Sequence, residues 1–222
     1  FEIVKAFSIY SDISVLAVSR DSLGLEKLKK ECTIINSDFK LTVLSLDLSL
    51  MKSISTIGEL IKKDFNSSLD GVIHNAGVLI KKPFIEITDK DLEESFKVNC
   101  FSPFLLTQKL ASYFTKTAHI IFISSMGGVQ GSKKFPGLSA YSASKATLIT
   151  LTECLAEEFK TTDLVFNCLA LGAVQTDMLV KAFPDYNAPI NAMEMGKFIA
   201  DFFLNGSRYF NGQLIPVSLT TP

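Results

Sequence analysis

Residues 119–125 read HIIFISS, an uninterrupted apolar run that two serines follow directly. A strand buried on both faces, as in a parallel sheet, is apolar throughout rather than alternating. Five other short apolar runs have the same character, at 12–19, 40–47, 70–75, 163–171 and 212–218. The sequence therefore predicts six strands of a parallel sheet.

Longer amphipathic segments separate these runs and predict helices at 22–32, 49–65, 89–115, 139–160 and 191–204. Strands that alternate with helices favour an α/β fold, a doubly wound parallel sheet flanked by helices on both faces. Because 47% of the 222 residues are hydrophobic, the chain can bury a large core and is not disordered. With no linker or repeat to divide it, we expect one domain over residues 1–222.

The net charge and the cysteines of the chain indicate which partners and which cellular compartment to expect. A net charge of −1 gives no global attraction for nucleic acid or for an anionic membrane, so we expect neither as a partner. The four cysteines are far apart in apolar surroundings, which predicts reduced core thiols, no metal site and a cytoplasmic protein. They are Cys32, Cys100, Cys154 and Cys168.

The first residues, FEIVKAF, have helical character, whereas a doubly wound fold normally begins with a strand and a glycine-rich turn. Without a central strand, backbone donors and acceptors of its neighbours would stay unpaired in the core. We therefore expect the natural protein to carry a strand and a glycine-rich turn before Phe1.

Small and polar residues follow the predicted strands, and ligands bind beyond the carboxyl ends of the strands in such a sheet. Five motifs in this order resemble the short-chain dehydrogenase/reductase family, in its compact single-domain, Rossmann-type form. They are HNAG (74–77), VNCF (98–101), ISS (123–125), YSASK (141–145) and LGAVQTDM (171–178). Two departures are Leu171-Gly172, where the family has Pro-Gly, and a longer connection between Ser125 and Tyr141.

The YSASK motif has a chemical reason of its own. Tyr141 and Lys145 at i and i+4 share one helix face, and the small residues between them leave room for a cofactor ribose. A phenol is a poor acid or base at neutral pH, and a nearby ammonium together with a positively charged nicotinamide favours the phenolate. We therefore expect the pKa of Tyr141 to be lowered.

The resemblance implies a role for each catalytic residue. Tyr141 would exchange a proton with the substrate oxygen as hydride moves between the nicotinamide and carbon. Ser125 would hydrogen-bond that oxygen, Lys145 would tune Tyr141 and hold the ribose, and Asn99 would hold a water next to Lys145.

The resemblance also implies a set of cofactor contacts. They are Ser19, Arg20, Asp47, Leu48, Asn75, Ala76, Gly77, Tyr141, Lys145, Val174 and Thr176. Arg20 stands where a 2′-phosphate would need a cation, so we expect NADP as the cofactor, with NADPH preferred over NADH. Asp21 should turn away and cap the next helix.

The substrate and the assembly are less closely specified. Residues 178–195 should form a short lid in which Met178, Phe183 and Tyr186 face the pocket together with Phe135, which favours a small, fairly apolar carbonyl compound or alcohol. Five apolar side chains should meet a second subunit and give a homodimer or homotetramer. They are Phe101, Phe104, Leu148, Leu155 and Phe159.

Two other functions are considered. A non-catalytic NADP(H)-sensing protein of the same fold would need none of the set Asn99, Ser125, Tyr141 and Lys145. A nucleotide-sugar epimerase or dehydratase shares the tyrosine and lysine but needs a large C-terminal substrate domain, and only 81 residues follow Tyr141. An NADPH-dependent oxidoreductase is therefore the favoured hypothesis.

Overall fold

The computed structural model describes residues 1–219, except for the side chain of Met51. Residues 220–222 of the expected domain lie outside the described residues. All six expected strands are present. They are β1 (Ser14–Ser19), β2 (Lys40–Ser45), β3 (Leu69–His74), β4 (Phe114–Ser125), β5 (Val165–Leu171) and β8 (Gln213–Val217). Two short strands, β6 (Val174–Gln175) and β7 (Ile190–Asn191), pair with each other and were not predicted.

The helices also follow the expected order. They are α1 (Glu2–Phe7), α2 (Ser22–Ile35), α3 (Met51–Asp64), α4 (Asp89–Phe96), α5 (Ser102–Leu110), α6 (Ser139–Glu158), α7 (Asp177–Ala182) and α8 (Ala192–Asn205). A π-helical turn, Lys97–Phe101, joins α4 to α5. Asp21 caps α2 as expected, because its carboxylate accepts from Gly24 N–H at 2.9 Å.

The strands form two parallel groups. One has the order β2–β1 and the other the order β3–β4–β5–β8. Within residues 1–219, β1 pairs with β2 alone and β3 pairs with β4 alone. Both groups nevertheless contribute to one apolar cluster under α3 and α5, in which Leu16 of β1 and Val72 of β3 lie against the same helices. The sheet is therefore interrupted between β1 and β3.

Strand β4 shows how the two helical layers arise. Ile120 and Phe122 pack in a cluster with Leu148 of α6. Ile121 and Ile123, which point to the other face, pack in a cluster with residues of α8. Alternate residues of one apolar strand are thus buried under helices on opposite faces, which explains its lack of polar alternation.

Two expectations about side-chain surroundings are wrong. Leu148 is only 1% exposed and belongs to the core under α6, while Leu155 and Phe159 also pack there, so these three do not form a free face. Among the cysteines, Cys154 is exposed and Cys100 half-buried, because their positions on the helices face away from the core.

No described helix combines the length and the hydropathy needed to cross a membrane.

Candidate active site

The site is built where β4 ends and α6 begins. Tyr141 lies in the first turn of α6, close enough to Ser125, the last residue of β4, for that hydroxyl to lower the pKa of its phenol. The oxygen of Ser125 also accepts from Gly127 N–H at 3.2 Å. Because that backbone donor occupies one acceptor position, the serine hydroxyl is held beside the phenol.

The turn after β4 packs closely on α6. A Cβ atom on Gly128 would lie 2.8 Å from the backbone nitrogen of Ala146, a distance that real Cβ atoms do not reach. On the same side, Ser124 Oγ donates to the backbone oxygen of Lys145 at 2.8 Å. Glycine in the turn and a buried serine therefore fix Ser125 relative to the helix that carries Tyr141.

The expected lowering of the Tyr141 pKa is wrong for the protein by itself. Burial raises the pKa of Tyr141 above its ordinary value, and the hydrogen bond from Ser125 only partly opposes this. Desolvation disfavours the charged phenolate more than one neutral hydroxyl stabilises it.

Lys145 is almost fully buried, at 4% exposure. Its ammonium donates to the backbone oxygen of Ile123 at 2.8 Å. Burial lowers the pKa of Lys145 to about 8, and the nearby thiol of Cys168 opposes this slightly. A lysine with this pKa is close to its titration range at neutral pH.

Asn99 lies in the π-helical turn and is fully buried. Its Oδ1 accepts from Val78 N–H at 2.8 Å, and its Nδ2 donates to Val78 O and to Ser144 Oγ, both at 2.9 Å. Pro103 cannot donate a helical hydrogen bond, and the N–H of Ser102 reaches back to Lys97 O. This widened turn is where the helix presents Asn99.

Gly77 lies in the segment that follows β3, and this segment also reaches the site. A Cβ atom there would lie 3.2 Å from Lys145 Nζ and 3.3 Å from Asn99 Oδ1. The absence of a side chain at Gly77 thus allows the segment after β3 to approach both groups. The structure therefore gathers Asn99, Ser125, Tyr141 and Lys145, as the motifs predicted, and places Gly77 against two of them.

The other expected cofactor residues lie along the carboxyl ends of the strands. Asn75 and Ala76 are exposed after β3. After β1, Arg20 is exposed, and Ser19 Oγ accepts from Asp21 N–H at 3.2 Å. A hydrogen bond from Ser49 N–H lowers the pKa of Asp47, and the charge of Arg20 contributes further. Leu48 packs in the cluster under α3.

The segment expected to form the lid contains a helix, α7, that the sequence did not predict. Val174 lies in β6, and Thr176 caps α7 by accepting from Leu179 N–H at 3.3 Å. Phe183 follows α7 and meets the ring of Phe135 edge-on, with 6.3 Å between centroids. Met178 and Tyr186 are partly exposed, at 39% and 46%.

Three further contacts at the site had no sequence signal, because they join residues far apart in the chain. The backbone of Val78 holds Asn99, Gln175 Oε1 accepts from Ala188 N–H at 2.8 Å, and Lys81 Nζ donates to Ala182 O at 2.8 Å. The first contact fixes Asn99, a catalytic candidate. The other two hold the segment that is expected to form the lid.

Both histidines lie in the core. His74 stacks on Phe122 and hydrogen-bonds Thr107, and burial lowers the pKa of His74 to about 3. His119 contacts Asn167 and the backbone of Phe203. Over residues 1–219, no cluster of three His, Cys, Asp or Glu side chains could hold a metal ion.

Comparison with known proteins agrees with this architecture. The sequence model of the short chain dehydrogenase family matches residues 1–187. The 3-oxoacyl-[acyl-carrier-protein] reductase FabG of Rickettsia prowazekii is 27% identical over 208 residues, which cover 87% of this chain and 81% of that protein.

Solved structures show the same fold. L-sorbose reductase from Gluconobacter frateurii, complexed with NADPH and L-sorbose, matches all of this chain and 92% of its own, with a TM-score of 0.87 and 17% identity. 4-Hydroxyisoleucine dehydrogenase, complexed with NADH and succinate, matches 97% of this chain and 91% of its own, with a TM-score of 0.79 and 22% identity. The chain therefore belongs to the short-chain dehydrogenase family of oxidoreductases, which use nicotinamide cofactors.

Proposed function

We propose that this chain is an NADPH-dependent oxidoreductase that interconverts a small, fairly apolar carbonyl compound and its alcohol, with Tyr141 as the acid and base. The observation that carries the proposal is the placement of Ser125 at the end of β4 beside the first turns of α6, which hold Tyr141 and the buried ammonium of Lys145.

In the direction of reduction, Tyr141 gives its proton to the carbonyl oxygen. Ser125 donates a hydrogen bond to the same oxygen, because accepting from Gly127 N–H leaves its hydroxyl proton available. The nicotinamide, when bound, supplies the hydride. Lys145 lies one helical turn away, and its positive charge stabilises the phenolate that remains.

The residues present fit a nicotinamide dinucleotide. A side chain at Gly77 would crowd Lys145 Nζ, the group that would hold the cofactor ribose. Asn75 and Ala76, exposed after β3, would contact the adenosine half of the cofactor, with Asp47 and Leu48 at the adenine. Val174 and Thr176 would contact its nicotinamide half. Tyr141 and Lys145 would contact the cofactor ribose.

Arg20 supports NADPH over NADH. Together with Ser19 it lies at the end of β1, and its exposed side chain forms no salt bridge with any other described residue. A guanidinium in this position can bind a 2′-phosphate with two hydrogen bonds. Relatives of this fold have been solved with either cofactor, so the preference rests on this residue.

The deciding experiment replaces Tyr141 by phenylalanine. Tyr141→Phe should bind NADPH nearly as tightly as the wild type but lower kcat for carbonyl reduction by about 10²–10⁴, the usual contribution of general acid catalysis. Tyr209→Phe, on a tyrosine that is 76% exposed, is the matched control. A loss of less than about tenfold in Tyr141→Phe would contradict the assignment.

The same assay separates the enzyme from a sensor. Oxidation of NADPH is followed by absorbance with a panel of ketones, quinones and 3-oxoacyl thioesters. Tight NADPH binding without turnover of any of them would favour an NADP(H)-sensing protein instead.

We propose a homodimer or homotetramer in the cytoplasm. Phe101 and Phe104, on neighbouring turns, remain 52% and 47% exposed, which supports contact with a second subunit. The four cysteines are all free thiols, which supports a reducing compartment. Light scattering at micromolar concentration tests the assembly, and a monomer there would contradict it.

A further inference from the structure

Lys81 joins three loops on the substrate side of the site. Its ammonium donates to the backbone oxygen of Ala182 at 2.8 Å and lies 3.9 Å from the centre of the Phe183 ring. Phe183 in turn meets Phe135 edge-on, with 6.3 Å between centroids. We call Lys81, Phe135 and Phe183 the clasp; they come from the segments that follow β3, β4 and β5.

The position of Ala182 at the end of α7 explains why the Lys81 ammonium binds there. Ala182 is the last residue of α7, so its carbonyl oxygen lacks a helical partner and lies at the negative end of the helix dipole. The face of an aromatic ring also attracts a cation. One ammonium therefore satisfies the end of α7 and binds the ring that follows it.

The neighbouring lysines do not make these contacts with Ala182 and Phe183. Lys82 is paired with Asp91 at 2.6 Å. Lys133 lies 5.7 Å from the centre of the Phe135 ring. Within residues 1–219, Lys81 is the lysine that lies over Phe183.

The segment that carries Lys81 also reaches the catalytic candidates. Gly77 lies against Lys145, and Val78 holds Asn99 through both of its backbone groups. At the other end, Lys82 N–H donates to Gly137 O at 3.0 Å. The six residues 77–82 thus connect Asn99 and Lys145 directly with the lid.

We propose that Lys81 is a positioning residue, which holds α7 and Phe183 closed over the substrate side and so determines how tightly the carbonyl compound binds. The proposal rests on the proposed function for its substrate. The proton and hydride steps occur at Tyr141 and the nicotinamide, which Lys81 does not touch. It therefore acts on KM and leaves kcat unchanged.

The kinetic test uses the purified full chain with Lys81→Met, Lys81→Arg and, as a matched control, Lys90→Met on the exposed surface of α4. Lys81→Met loses one hydrogen bond and one cation–π contact, so KM for the carbonyl compound should rise about three- to tenfold. The kcat value and the NADPH affinity should stay within about twofold. Lys81→Arg keeps both contacts and should restore KM, and Lys90→Met should match the wild type.

A second measurement needs no substrate. Amide hydrogen exchange of the lid peptide 177–188 should become faster in Lys81→Met, and should stay unchanged in Lys81→Arg and Lys90→Met. If no carbonyl compound is turned over, the proposed function fails while this measurement still decides the clasp. Unchanged exchange in Lys81→Met would overturn the clasp, and an unchanged KM in an active enzyme would overturn the positioning role.

Discussion

The side-chain amide of Asn99 pairs with both backbone groups of Val78, in the way that one strand residue pairs with another. Oδ1 accepts from the N–H at 2.8 Å, and Nδ2 donates to the carbonyl oxygen at 2.9 Å. Asn99 is therefore a structural link between the π-helical turn and the segment after β3, in addition to any part it takes in the reaction.

Replacing Asn99 by alanine should destabilise the fold. The backbone groups of Val78 and the hydroxyl of Ser144 lose their partner in a buried place, and each such loss costs about 1–3 kcal/mol. We expect Asn99→Ala to lower the free energy of unfolding in urea by about 2–4 kcal/mol. Asn205→Ala, which loses an exposed hydrogen bond to Asp201, is the control. A change below about 1 kcal/mol in Asn99→Ala would show that the paired amide contributes little.

Gly77→Ala should impair activity without unfolding the protein. The new Cβ would lie 3.2 Å from Lys145 Nζ, so the ammonium or the segment after β3 must shift. A shift of a few tenths of an ångström would misplace the ammonium slightly, and we expect kcat/KM to fall by roughly three- to tenfold. In the control Gly58→Ala, within α3, the nearest contact is an ordinary 3.4 Å. Equal kcat/KM in Gly77→Ala and the wild type would contradict the close approach.

Arg20→Ala should remove the cofactor preference. Hydrogen bonds to a charged group contribute about 1.5–3 kcal/mol, which corresponds to a ten- to hundredfold preference for NADPH. We expect the ratio of kcat/KM for NADPH and NADH to approach one in Arg20→Ala. Arg208→Ala changes the chain's other arginine and should keep the wild-type ratio. A wild type that uses both cofactors equally would refute the role of Arg20.

His74 should make the fold sensitive to acid. Its pKa is about 3 when folded and 6.5 in the unfolded chain, so the unfolded state binds the additional proton between these pH values. Stability is therefore lost as the pH falls below 6.5, by up to about 1.4 kcal/mol per pH unit. In His74→Gln, urea unfolding at pH 7, 6, 5 and 4 should show a shallower decline. Parallel declines in the two proteins would mean that His74 does not titrate in this range.

A strand should fill the interruption between β1 and β3. Both strands are half-buried and lie under the same helices, yet each is paired on one side within the described residues. Unpaired backbone groups at such a place are costly. The facing edges of β1 and β3 are therefore where one further parallel strand would pair.

The local pattern of the sequence was sufficient for most elements. The run from Ile120 to Ile123 is apolar at every position, so only a strand covered on both faces can bury it. Tyr141 and Lys145 were found because a fixed spacing on one helix is a local property. The motifs likewise located Ser125 at the end of a predicted strand and Asn99 within a predicted helix.

Contacts between distant segments were decided by tertiary packing. Leu148 was assigned to an interface because its helix has more apolar positions than one sheet face can cover, and only the packed sheet shows that it faces the core. The pKa of Tyr141 depends on how deeply the phenol is buried, which no spacing reveals. The clasp around Lys81 joins residues about a hundred positions apart. Periodicity encodes which face of an element is apolar, whereas desolvation and through-space contacts exist only once the elements have packed.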